Sequence, residues 1–243
     1  MKTQVKDVRE IIKDRVEIAE EWQGKVVLND DNMTYVVWNN RSHEALVVDP
    51  MREDLSTLLK ITGEDLKGYR AIAVIDTHTH ADHVSCAADL ASQWGAPLVQ
   101  HVLSPSQRIH LRVALDTALP TVAGPLMLLV TPGHTPDGIT PIWGPFLFGG
   151  DTLLYGDTGR DDLPGGNPGA HWESLQKIKK HAKSDMIMLP GHDGQGGQAS
   201  SWKKQLEISP GLSQDREAFI ADGGAYVGPS PKLLKESLFE NFK

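Results

Sequence analysis

Three imidazoles and two carboxylates fall within eight consecutive positions, Asp76-Thr77-His78-Thr79-His80-Ala81-Asp82-His83. Neutral imidazole nitrogen and carboxylate oxygen are ligands for zinc or iron, and no thiolate lies inside the cluster to compete. A single histidine is usually an ordinary surface or core polar group. Three of the chain's ten within six residues argue instead for a metal site. The apolar run 71–75 directly precedes the cluster and reads as a buried strand. The candidate ligands therefore sit on a loop fixed by a rigid element, as a preorganised site requires.

Three further apolar runs end in the same way. Residues 126–130 lead into Thr131-Pro132-Gly133-His134-Thr135-Pro136-Asp137-Gly138. Residues 145–148 lead into Gly149-Gly150-Asp151-Thr152, and 186–189 into Pro190-Gly191-His192-Asp193. In each case small residues let the backbone approach a bound ion closely.

The remaining elements must hold these loops together. Short strands are expected at 25–28, 34–38, 45–48 and 97–100, the first three separated by Asn/Asp turns. Helical patterns cover 54–61, stopping at Gly63, and 84–94, stopping at Gly95. Others cover 172–182, 215–221 and 231–241. The segment 104–121 reads as a helix followed by a loop, and the Pro/Gly-rich stretch 163–168 as a loop within the domain. Residues 1–24 place Val5, Val8, Ile12, Ala19 and Trp22 at helical spacing. They read as an N-terminal helical extension that caps the domain or meets a second subunit in a homodimer. Residues 25–243 then form one domain.

Composition narrows the function classes. A chain of 243 residues with 40% apolar and 23% charged content can bury a full core and is typical of soluble globular proteins. Its net charge of −8 argues against nucleic acid or an anionic membrane as partner. No apolar run approaches the roughly 20 residues that span a bilayer, and the charged N-terminus lacks a signal-peptide core. One cysteine, Cys86, rules out an internal disulfide and suits a reducing cytoplasm. With no base beside it in sequence, Cys86 reads as a small hydrophobe. His43, His101, His110, His171 and His181 lack motif company and read as ordinary histidines.

In their order, His-x-His-x-Asp-His, Gly-His, Gly-Asp and Gly-His resemble the metallo-β-lactamase superfamily, over most of the chain from about Val26 onward. That resemblance implies an α/β fold of the αββα type: two mixed sheets face to face, helices on both outer faces and metal at one sheet edge. It implies one metal position at His78, His80 and His134, another at Asp82, His83 and His192, and Asp151 between them.

Two branches of the superfamily fit. The cluster 77–83, Gly159-Arg160-Asp161-Asp162, His192-Asp193 and the tail segments 209–212 and 215–220 resemble the persulfide dioxygenases. This similarity implies one Fe(II) per chain on His78, His134 and Asp151, the catalytic centre, with positions left open for substrate and dioxygen. His80, Asp82, His83 and His192 would orient those ligands or hold a second metal. Arg160 would orient a substrate carboxylate or buttress the ligand loop through Asp161 or Asp162. The implied reaction oxidises a thiol persulfide, such as glutathione persulfide, with O2 to sulfite and thiol.

Leu163-Pro164-Gly165-Gly166 is more similar to the glyoxalase II-like thioester hydrolases. Those imply two zinc ions or a mixed zinc–iron pair, and water activated by the metal. The chain departs from the dioxygenase pattern at Thr158, Gly194 and Asp137, where cysteine, tyrosine and glycine are usual. The tail and Asp193 favour the dioxygenase branch.

Overall fold

Runs such as 46–48, 73–75, 146–148 and 187–189 show no polar alternation because their strands are covered on both faces. In the computed structural model, which describes residues 3–193, 197–225 and 234–242, neighbours within each run enter different cores. Leu46, Val48, Ala73 and Ile75 join Phe146, Phe148, Ile187 and Leu189 in the layer between two sheets. Val47 and Val74 turn outward onto Leu58 and Leu90. Leu147 and Met188 turn outward onto Leu175 and Ile178. Three apolar layers separate four structural ones, which is the expected α/β sandwich of αββα type.

The first sheet runs β1 (Gln4–Asp7), β2 (Trp22–Asn29), β3 (Asn32–Asn39), β4 (Glu44–Val48), β5 (Arg70–Ile75), β6 (Leu98–His101), β7 (Leu111–Val113). Pairing is antiparallel from β1 to β4 and parallel from β4 to β7. The second sheet contains β8 (Thr117–Leu119), β9 (Leu126–Val130), β10 (Ile139–Trp143), β11 (Phe146–Gly150), β12 (Ile187–Pro190) and β13 (Ser200–Ser201), lying side by side in that order. Its β11 and β12 pair parallel and the others antiparallel. Between the sheets, Trp22 meets Trp143 edge-on with ring centroids 4.7 Å apart, and Tyr35 meets Phe148 at 5.9 Å.

A one-turn helix, α1 (Val8–Ile11), follows β1, and α2 (Leu55–Lys60) and α3 (Ala87–Trp94) cover the first sheet. The second sheet is covered by α4 (Pro168–His181), α5 (Trp202–Ile208), α6 (Pro210–Ser213) and α7 (Arg216–Ala225). A last helix, α8 (Leu234–Asn241), lies against the loop after β5. Local chemistry sets the ends. Asn167 accepts from the Ala170 amide ahead of Pro168 at the start of α4, and Gly95 closes α3 in the left-handed region at φ 72°. Cys86 is buried just before α3, its thiol donating to the Met51 carbonyl at 3.0 Å.

Two expectations need correction. Of the expected helix 1–24, the described residues 3–24 do not form an amphipathic helix: β1 pairs with the edge of β2, α1 lasts one turn, and residues 13–19 have no regular structure. The open edge of β2 gives residues 4–7 ladder hydrogen bonds that a short isolated helix would hold only marginally. Segment 104–121 holds no helix but two short strands, β7 and β8, one in each sheet. β10 and the elements β13, α5 and α6 had no counterpart in the sequence reading. Pro141 concealed β10; it pairs opposite Leu128 of β9 and lies beyond the residues that pair with β11. Of the expected helix 231–241, residues 231–233 lie outside the described residues, as does Gly194.

Candidate metal centre

The four strand-to-loop transitions converge at one end of the sandwich. β5 delivers His78, His80, Asp82 and His83, β9 delivers His134, β11 delivers Asp151 and β12 delivers His192. Bonds between the sheets fix this end: the Ile139 amide donates to the Thr77 carbonyl at 2.7 Å and the Met33 amide to the Gly191 carbonyl at 3.0 Å. Tyr35 adds a 2.7 Å bond from its hydroxyl to the Pro190 carbonyl. Glycines make the closeness attainable. A Cβ on Gly191 would sit 2.5 Å from Asp151 Oδ1, and one on Gly150, at φ +49°, would sit 2.5 Å from Thr77 Oγ1.

His78, His134 and Asp151 each turn one ligand atom into a common space, all within 4.8 Å of one another. Nε2 of His78 and of His134 lie 3.8 and 3.6 Å from Asp151 Oδ2. Those distances are too long for hydrogen bonds, yet they suit atoms that each bind a shared ion at about 2 Å. The Nδ1 of His134 donates to the Arg160 carbonyl at 2.6 Å, which leaves Nε2 as the lone-pair nitrogen facing that space. His78 Nδ1 rests 3.0 Å from Thr77 Oγ1.

His80, Asp82 and His83 form a neighbouring group, and Asp49, Asp76 and His80 a third. Among the described residues, His83 Nε2 and both ring nitrogens of His80 are buried without a hydrogen-bond partner. His80 Nε2 is 3.3 Å from Asp49 Oδ1, an ion pair when the ring is protonated. His192 is held differently, with Nδ1 2.6 Å from Asp151 Oδ1 and Nε2 3.0 Å from Asp82 Oδ2. Converging imidazole and carboxylate donors, with unsatisfied buried nitrogens beside them, fit a bound metal.

Comparisons with known proteins bear on the fold. No family model matches the chain. Human mitochondrial persulfide dioxygenase ETHE1 is 25% identical over 223 residues, covering 86% of this chain and 83% of that protein. A beta-lactamase hydrolase-like protein of Xylella fastidiosa (strain 9a5c) is 28% identical over 249 residues and covers 86% of this chain, which spans 57% of that longer relative. The crystal structure of ETHE1 from Myxococcus xanthus superposes with a TM-score of 0.77 at 26% identity, covering 94% of this chain and 97% of that one. The chain has the metallo-β-lactamase fold and is similar to persulfide dioxygenases.

Electrostatics at this site divide the histidines. Burial, with His80 and His134 nearby, pulls His78 down to about 3, so it stays neutral and ligand-ready. Burial also lowers His80, but Asp49, Asp76 and Asp82 outweigh it and lift the ring to about 9. For His192 too, burial is overcome by Asp151 and Asp82, which raise it well above its ordinary value. Asp151 is buried, and its neighbours His192, His78 and His134 hold it far below the usual carboxylate range.

A cavity of about 560 Å³ opens onto His134, Asp151 and His192, with Leu154, Leu163 and Phe219 among its walls. The tail residues Pro210, Gly211 and Gln214 close one side. Arg160 lines this cavity with its guanidinium in a two-point bond to Asp162, 2.6 and 2.7 Å. Asp161 instead reaches His171 Nδ1 at 3.1 Å.

Sequence reasoning missed several residues that hold the ligands. Asp49, at the end of β4, accepts from the amide and hydroxyl of Thr77 at 2.7 and 2.9 Å. An aspartate straight after the apolar run 45–48 is the same strand-to-carboxylate signal as Asp151, and could have been read. Asp137, a departure from the dioxygenase pattern, accepts from the Thr79 amide and hydroxyl at 3.0 and 2.5 Å. His171, read as ordinary, is fully buried and donates from Nε2 to the Thr152 carbonyl at 2.7 Å. It thereby ties α4 to the loops of Asp151 and Asp161. No helix among the described residues is long and apolar enough to cross a membrane.

Proposed function

We propose that this chain is an iron-dependent persulfide dioxygenase that binds one Fe(II) through His78, His134 and Asp151. The observation that carries this reading is the grouping of the donors. These two histidines and one carboxylate converge as a set, and His80 belongs to a different one. His192 also spends both ring nitrogens on carboxylates, which suits a residue that orients Asp151 better than one that ligates a second metal.

Bound Fe(II) supplies redox chemistry toward dioxygen, which zinc lacks. The chain's own residues set the stage for it. His192 fixes Asp151 through Oδ1, which leaves Oδ2 toward the two Nε2 atoms. The Arg160 carbonyl fixes the His134 tautomer. Leu154, Leu163 and Phe219 give the cavity apolar walls for the alkyl part of a thiol carrier. In balance, one persulfide, one O2 and one water give the parent thiol, sulfite and two protons. The similarity to persulfide dioxygenases supports this substrate class.

One observation favours a second reading, a dinuclear thioester hydrolase of the glyoxalase II type with two zinc or mixed zinc and iron. His80, Asp82 and His83 also converge, with His83 Nε2 buried and unpartnered among the described residues. An oxygen electrode with sulfite detection, run beside lactoylglutathione hydrolysis on the same iron-loaded sample, separates the two. Oxygen uptake matched by sulfite is the expected result. Thioester hydrolysis without oxygen uptake overturns the dioxygenase.

A further inference from the structure

The loop that carries four of the candidate ligands is held by a residue more than 150 positions away in sequence. Asn241, at the end of α8, donates from Nδ2 to the carbonyls of His80 and His83, both at 3.0 Å. Its Oδ1 accepts from the Ser85 amide at 2.8 Å. A primary amide has one acceptor and two donor hydrogens, and all find partners on this one loop. The reverse amide orientation would face carbonyls with an oxygen, so the network itself fixes the assignment.

The two carbonyls belong to residues only 2% and 5% exposed. Without Asn241 they would be buried acceptors with a donor removed, and the loop would have to move to recover one. On its other side the loop is held by β4's continuation, where the Arg52 amide donates to the Val84 carbonyl and the Cys86 amide to the Pro50 carbonyl, both at 2.9 Å. Asn241 closes the remaining side. α8 has a separate anchor in the Glu240–Arg52 pair at 3.3 Å, which is partly exposed and touches no ligand.

We infer that Asn241 is a positioning residue for the metal centre: the C-terminal helix locks the ligand loop in its coordinating course and slows metal release. This holds whichever reaction the centre performs, because the property read is metal retention and not turnover.

The test uses the full-length protein loaded with Co²⁺ or with Zn²⁺, and follows transfer of the metal to a chromophoric chelator. Asn241→Ala should release metal about tenfold faster or more, the range found when residues supporting a metal ligand are removed. Asn241→Asp keeps the acceptor for Ser85 but loses both donors, so it carries the same test should the alanine variant fail to fold. Glu240→Gln, which weakens the Arg52 anchor and leaves Asn241 in place, should retain metal like the parent. An acceleration below about tenfold in the folded Asn241 variants overturns the inference. So does an equal acceleration in Glu240→Gln, since α8 docking alone would then explain the effect.

Discussion

Gly159→Ala should cripple metal binding without touching a ligand. A Cβ at this position would lie 1.8 Å from the Asp151 carbonyl oxygen, where contacts below 3.0 Å are essentially never seen. The 157–160 segment must therefore retreat by about 1.2 Å from the Asp151 loop. A displacement of that size along the bond from His134 Nδ1 to the Arg160 carbonyl stretches it from 2.6 Å to about 3.8 Å, beyond hydrogen-bonding range. His134 then loses the partner that fixes its tautomer and ring orientation. Loss of such a partner typically costs 10–100-fold in metal affinity, about 1.4–2.7 kcal/mol. Chelator competition at equilibrium measures it. Gly63→Ala is the control, because a Cβ there meets nothing within 4 Å. If Gly159→Ala binds metal as tightly as the parent, the coupling of His134 to the Arg160 carbonyl is wrong.

His78→Ala, His134→Ala and Asp151→Ala should each abolish metal binding and activity, whereas His80→Ala and His192→Ala should keep about one metal per chain with a 10–100-fold loss of activity or affinity; elemental analysis that finds the metal content of the last two halved from two would favour the dinuclear reading. Asp137→Ala removes the acceptor of the Thr79 amide and hydroxyl between His78 and His80, and should cost about 1–3 kcal/mol in urea unfolding of the metal-free protein. Glu44 is buried, which pushes its carboxyl up, but the amides of Val122 and Ala123 with Arg70 more than offset this and hold it below 4.5. A lowered folded value means its contribution is fully present above about pH 4.5 and is lost as pH falls through the folded value. Glu44→Gln should therefore lower the thermal midpoint at pH 7 and narrow the parent's lead at pH values below 4.5. Phe146→Ala, in the layer between the sheets, should cost about 3–5 kcal/mol by equilibrium denaturation.

The ligand loops were legible because each follows a strand buried on both faces, so an apolar run ended abruptly in Gly, His or Asp. The αββα class came from the ordered motif, and periodicity alone would not have given it. What stayed hidden depended on partners remote in sequence. Nothing local shows that Asp137 meets Thr79, or that Asn241 returns to the loop of His80. Val5, Val8 and Ile12 have a spacing that suits a helix, but Val5 pairs with the free edge of β2, Val8 starts a single helical turn and Ile12 bridges to Ala199. β10 was masked by Pro141, whose tolerance depends on where β11 stops pairing. Arg160 was read between two roles. Its guanidinium engages Asp162, and its backbone carbonyl, which no side-chain motif could reveal, holds His134.

Cys86 has a practical meaning for a protein proposed to handle reactive sulfur. It is the chain's one thiol, shielded from solvent; burial pushes its proton affinity up, and Asp76 and Asp89 push further. A thiol that stays protonated is a poor acceptor for sulfane sulfur and a poor target for oxidation. The folded chain should thus pass through a pool of persulfide without acquiring a covalent sulfur adduct. A maleimide added at the end of an assay would then alkylate the small-molecule thiol and any remaining persulfide and leave the intact mass of the folded protein unchanged.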